Sequence, residues 1–159
     1  MAHSLRTHGV LLRRLIEHLD AAVEQSYVDA GLDYRPRYTP IVRALLNDGP
    51  ASLRALSGRI GVSHSAVSQT ISQMAARDWV SLAPGSDGRE RIVSLTPSAL
   101  DRLPLLQLCW AATERASRSL DADIGQPLSE VLARALDALD RRPFSSRLAE
   151  AADQTAGTE

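Results

Sequence analysis

Residues 52–96 constrain the fold of this chain more than any other stretch. They read SLRALSGRIGVSHSAVSQTISQMAARDWVSLAPGSDGRERIVSLT. Leu53, Leu56 and Ile60 form one face of a short helix that Ser52 would cap. Gly61 permits a tight left-handed turn, and Ser63 would cap a second helix from His64 to about Arg77. In that second helix Val67, Ile71 and Met74 recur at helical spacing and are expected to point inward. The opposite face carries His64, Ser65, Ser68, Gln69, Ser72 and Gln73. Asp78 stands where the helix must turn out, and Asp tolerates left-handed geometry better than most residues with a side chain. Residues 79–82 and 91–95 alternate as strands do, and Pro84-Gly85-Ser86-Asp87-Gly88 would form the turn between them.

Two helices about a glycine turn, followed by a hairpin, make a winged helix. The flanking segments are helical. Leu12, Leu15, Ile16, Leu19, Val23 and Tyr27 give a long amphipathic helix over about 5–29, closed near Gly31. Prolines in 33–40 make a connector, after which Thr39-Pro40 would start a short helix with Ile41, Leu45 and Leu46 inside. Thr96-Pro97 repeats that start for a helix to about 120, with Leu100, Leu103, Leu106, Cys109 and Trp110 on its apolar side and Pro104 within it. A last clear helix covers 127–140, where Leu128, Val131, Leu132, Ala135, Leu136 and Leu139 repeat. The expected fold class is therefore mainly α with a small β-hairpin wing: a winged helix-turn-helix flanked by long helices. Four segments follow. Residues 1–36 are a long helix and connector, and 37–97 the winged helix-turn-helix, with the helix-turn-helix at about 52–77 and the wing at about 79–96. Residues 98–142 supply further helices, and 143–159 form a partly disordered tail of one or two helical turns.

Charge narrows the partner. The formal net charge is −1, and every one of the 18 basic residues is Arg, so there is no global signature of nucleic-acid binding. Locally the picture differs, because between Gly49 and Arg77 the only charges are Arg54, Arg59 and Arg77. Short polar groups at Ser65, Ser68, Gln69 and Ser72 on a face without acids suit a DNA major groove, where Gln can pair with adenine. His64, Arg54 and Arg91 are placed to meet phosphates, and the helix N-termini at Ser52 and Ser63 can do the same. On a helix of unknown context the same face would be merely solvated. Cys109 is the single cysteine, which excludes an internal disulfide and reads as a core thiol. His3, His8 and His18 with Glu17 do not share one helix face, so no metal site is expected. No nucleophile, base and orienting group converge, so the chain is not expected to be an enzyme. With no apolar run of about 18 residues and no signal-peptide pattern, a cytoplasmic location without membrane association is expected.

The segment Asp87-Gly88-Arg89-Glu90-Arg91-Ile92-Val93-Ser94-Leu95-Thr96 matches the D-x-R-x-x-x-x-x-L-T wing signature, and with the order of helices over about 5–140 the chain resembles the MarR-type regulators. That resemblance implies a homodimer whose first and last helices interlock, which makes 1–36 and 98–142 a helical dimerisation region beside the winged helix-turn-helix. It implies binding to pseudo-palindromic double-stranded DNA, usually as a repressor, with release by a small aromatic or phenolic effector and no cofactor. It assigns Arg89 to a minor groove and makes Asp87 its orienting carboxylate; narrow A·T grooves attract such an arginine. Tyr27, Tyr38 and Trp110 are the candidate lining of an effector pocket, although the same spacing serves an ordinary core. Asp78 replaces the glycine usual after the recognition helix, and Pro104 interrupts a helix that is usually regular. The alternative is a winged-helix module that binds a ligand or protein without sequence-specific DNA binding.

Overall fold

The computed structural model describes residues 7–85 and 90–156, and 76% of these described residues are helical. The elements are α1 (His8–Asp29), a 3-10 turn (Pro36–Tyr38), α2 (Thr39–Asp48), β1 (Ala51–Ser52), α3 (Leu53–Ile60), α4 (His64–Ala76), β2 (Val80–Pro84), β3 (Arg91–Leu95), α5 (Pro97–Ile124), α6 (Leu128–Arg141) and α7 (Phe144–Ala156). The chain divides into two units, Met1–Ala112 and Thr113–Glu159, with the boundary inside α5.

In the first unit the helix-turn-helix forms as its capping residues dictate. The Ser52 hydroxyl accepts from the Ala55 amide at 3.3 Å and the Ser63 hydroxyl from the Ala66 amide at 3.4 Å. Each satisfies an amide left without a partner in a first helical turn. Gly61 closes α3 at φ 72°, a left-handed position that costs glycine nothing. Asp78 does the same for α4 at φ 56°. There the Trp79 amide donates to Met74 O at 2.9 Å and the Asp78 amide to Ala75 O at 3.1 Å, a Schellman closure with Trp79 packed against the helix it ends. The Asp78 carbonyl accepts from the Thr96 hydroxyl at 2.7 Å, and that hydroxyl in turn caps Ala99 N at 3.0 Å at the start of α5. One threonine thus joins the end of α4 to the start of α5.

The wing is a three-stranded antiparallel sheet ordered β1-β3-β2 rather than a two-stranded hairpin. Ala51 pairs with Val93 and Ser52 with Ile92, while β2 and β3 run in register from Val80↔Leu95 to Pro84↔Arg91. The Gly85 amide closes the hairpin on Glu90 O at 2.8 Å. The expected wing-tip residues Asp87 and Arg89 lie outside the described residues.

Four aromatics build the centre of the core. Tyr34 contacts Tyr27, Tyr38 and Trp79 edge to face at centroid distances of 4.9, 5.5 and 4.7 Å. Leu56, Val67, Ile71, Met74, Val93 and Leu106 complete it. The connector therefore contributes two side chains to the centre of the core, Tyr34 and Tyr38, and its 3-10 turn is set by Pro36 at the first position. Thr39 is not the cap of α2, since the helix runs on from that turn with no side-chain cap; its hydroxyl instead accepts from Tyr34 Oη at 3.3 Å. Leu100 is half exposed at 50%, a departure from the expected apolar face of α5, whose buried residues are Ala99, Leu106 and Cys109.

In the second unit α7 is longer than the one or two turns expected of the tail. Arg147 reaches back to Ala138 O at 3.2 Å and Arg142 O at 3.3 Å, and Arg142 pairs with Glu150. These cations cover the last carbonyls of α6 and bind its end to α7.

Candidate nucleic-acid interface

The inward face of α4 is held by Val67, Ile71 and Met74, each at most 2% exposed. Helical geometry then turns the expected polar residues outward. Ser65, Gln69 and Ser72 are exposed, and Ser68 and Gln73 lie half-buried on the flanks. Two of the three hydroxyls, those of Ser65 and Ser72, are already engaged. Ser72 donates to Ser68 O at 3.0 Å, and the Ser63 and Ser65 hydroxyls lie 3.3 Å apart. A serine whose proton is given to its own helix keeps its lone pairs, so Ser72 faces outward as an acceptor. Among the described residues Gln69 has no hydrogen-bond partner, so its carboxamide offers both a donor and an acceptor.

One groove gathers the expected phosphate contacts. Ser52, Leu53 and Arg54 from the start of α3, His64 from the start of α4, and Glu90 and Arg91 from the wing line it together. Arg54, His64 and Arg91 are all exposed. Two capped helix N-termini open onto the same groove, which adds partial positive charge to that of the guanidinium groups.

The basic segment is less basic than its sequence. Arg59 pairs with Asp48 of α2 at 3.4 Å, and Arg77 with Asp33 of the connector at 3.0 Å. Neither acid is near these arginines in sequence, so their partial neutralisation could be found only in the fold. Of the three arginines in 49–77, Arg54 alone joins the groove.

The candidate effector residues divide. Tyr27 and Tyr38 are core side chains, 2% and 0% exposed, while Trp110 is half-buried with the Arg43 guanidinium 4.8 Å from its ring centroid. Burial raises the pKa of Tyr27 and, further, that of Tyr34. Among the described residues the Tyr38 hydroxyl and the Trp110 indole N–H are buried without a hydrogen-bond partner. Cys109 lies between α5 and α1 with its sulfur 3.9 Å from Ser26 O, and burial pushes its thiol pKa up, the opposite of an activated cysteine.

Two apolar stripes are unfinished. On α1 the stripe that Val23 and Tyr27 bury at one end continues to Leu12, Ile16 and Leu19, which are 44%, 57% and 42% exposed. On α6, which has no buried residue, Leu132, Leu136 and Leu139 are 37%, 63% and 38% exposed. No helix among the described residues is long and apolar enough to cross a membrane.

Solved structures share this architecture. PcaV of Streptomyces coelicolor, a transcriptional regulator solved with its natural ligand, matches at TM-score 0.66 and 22% identity over 84% of this chain and 95% of its own. The Mycobacterium tuberculosis regulator MosR, solved in complex with DNA, matches at TM-score 0.65 and 18% identity over 92% and 98%. A mutant MarR from Escherichia coli matches at TM-score 0.56 and 17% identity over 82% and 97%. By sequence alone no family model and no curated protein matches this chain. The fold is that of the MarR-type winged-helix transcriptional regulators.

Proposed function

We propose that this chain is a homodimeric, DNA-binding transcriptional regulator, acting as a repressor at a pseudo-palindromic operator. The observation that carries this reading is the outward face of α4. It presents Gln69 and three serines without an acidic group, next to a groove lined by Arg54, His64 and Arg91. Direct base contacts come from Gln69, Ser65, Ser68 and Ser72, and phosphate contacts from the groove. The wing, with Arg89, reaches a flanking minor groove. The apolar stripes of α1 and α6 supply the dimer contact, and a two-fold dimer places two copies of α4 about 34–36 Å apart.

Release by a small phenolic or aromatic effector belongs to the same proposal. The buried Tyr38 hydroxyl and Trp110 N–H are groups that such a molecule would satisfy, at the edge of α2 and α5. Among similar structures, PcaV was solved with its natural ligand, and DNA binding by BpsR of Bordetella bronchiseptica is regulated by 6-hydroxynicotinic acid.

Hydroxyl-radical footprinting on the intergenic DNA beside the chain's own gene tests the reading. The expected pattern is two protected windows one helical turn apart, roughly 10 base pairs. Gln69→Ala should weaken the specific complex by roughly tenfold while phosphate protection persists at higher protein concentration. Uniform cleavage at every concentration, or a single window, would contradict a dimeric reader.

A further inference from the structure

Gln69 does not stand alone on the outward face of α4. An apolar recess of about 380 Å³ opens beside it, between the start of α2, the turn after α3 and the flank of α4. Ile41 and Val67, 3% and 2% exposed, lie at its buried side. Val62 and Ala66 line it on the solvent side next to Gln69; Val62 is 42% exposed although it is aliphatic, and Ala66 is half-buried. The Thr70 hydroxyl gives its proton to Ala66 O at 2.9 Å, so it brings no donor to the recess. Ala66 and Gln69 stand three residues apart, which makes them neighbours on one helix face, roughly 4.5 Å apart along the axis. That is close to the rise of one base pair, about 3.4 Å. A helical side chain leans toward the preceding turn, so Gln69 reaches out over Ala66.

We infer that Val62 and Ala66 read a thymine: their side chains receive the C5 methyl of a thymine within one base pair of the adenine paired by Gln69. The inference rests on the proposed DNA reading of α4 and deepens it. The C5 methyl is the apolar group that a base edge shows in the major groove, and a small aliphatic side chain is what meets it. Val62 and Ala66 offer no side-chain acceptor to the amino group that cytosine would show instead. Gln69 thus reads by hydrogen bonds and its two neighbours by contact, so the preferred half-site pairs an adenine with an adjacent thymine methyl.

Deoxyuridine keeps every hydrogen-bonding group of thymine and lacks only that methyl. Mobility-shift titrations of the full chain therefore compare the sequence protected in footprinting with duplexes in which each half-site thymine in turn is replaced by deoxyuridine. Thymines outside the half-sites are the controls. One substitution in one half-site should weaken binding by roughly fourfold, and the same substitution in both by roughly fifteenfold, as expected for a buried methyl. Val62→Ser and Ala66→Ser test the two side chains. The Ser63 cap uses the backbone amide of Ala66, so Ala66→Ser leaves it in place. Circular dichroism and thermal melting confirm that each variant folds. The deoxyuridine penalty should shrink in each variant and vanish in the Val62→Ser/Ala66→Ser double variant. The inference is overturned if no half-site position costs more than the controls, or if the double variant keeps the wild-type penalty, which assigns the methyl to another side chain. A wild type that binds the protected sequence no better than an unrelated duplex of equal length overturns the DNA reading itself, and this inference with it.

Discussion

Ile16→Asp should turn the protein into a folded monomer that no longer holds DNA as a specific complex. Ile16 is 57% exposed in one chain and sits mid-stripe between Leu12 and Leu19. An aspartate there therefore leaves the single-chain core untouched. In a two-fold dimer the cost falls twice, since an isologous interface carries each residue in two copies. Losing the buried side chain and placing a carboxylate against apolar groups costs roughly 3 kcal/mol per copy. Twice that is roughly a 10⁴-fold weaker dimer. Light scattering should then show one chain at concentrations where the wild type shows two. Circular dichroism should show nearly unchanged helicity. A variant that remains a dimer would place the interface elsewhere than on α1.

Trp79→Ala should be the most damaging single truncation in the winged-helix unit. Trp79 is fully buried, packs on Tyr34 and lies 4.1 Å below the Arg102 guanidinium. Its indole N–H also satisfies the Asp33 carbonyl. Removing it leaves a cavity and an unpaired carbonyl, a loss of roughly 3–5 kcal/mol. For a chain of this size that lowers the melting temperature by roughly 10 °C. The indole ties the connector to the end of α4, so amide exchange in the last turn of α4 should rise most. A shift of less than about 2 °C would mean that this aromatic cluster does not hold the unit together.

The helix-turn-helix was legible because its determinants are local. Ser52, Gly61, Ser63 and the Val67, Ile71, Met74 spacing all act within a few residues. Asp78 could be read as a left-handed closure for the same reason. What was not legible depends on residues far apart in sequence. Ala51 and Ser52 become a strand only because Val93 and Ile92 offer an edge. Arg59 and Arg77 look basic until Asp48 and Asp33 are brought beside them. Gln73 looks equivalent to Gln69 until Arg37 arrives from the connector. Leu100 follows the helical repeat loosely enough that spacing alone put it on the wrong face of α5. The tail was undervalued because its sequence lacks a strong apolar repeat; Arg147, reaching back to the end of α6, and Glu150, paired with Arg142, tie it to that helix.

The two long-range ion pairs bear on electrostatics. With Arg59 and Arg77 paired, the proposed attraction to phosphates would rest on Arg54, Arg91 and His64 in each protomer of the proposed dimer, together with Arg89, outside the described residues. Counterion release from Arg54 and Arg91 alone, four arginines in a dimer, gives a log–log salt slope of about −3.6, and any contact by Arg89 or His64 steepens it.

The most direct measurement is therefore a mobility-shift titration of the full chain on the intergenic DNA beside its gene, from 50 to 200 mM salt. A DNA-reading dimer gives a discrete complex of two chains per site with a slope of about −4 or steeper. The slope should become shallower by about 2 in Arg54→Ala, which removes one contact from each protomer. The absence of any discrete complex, or a slope shallower than about −1, would contradict the assignment of this fold to DNA.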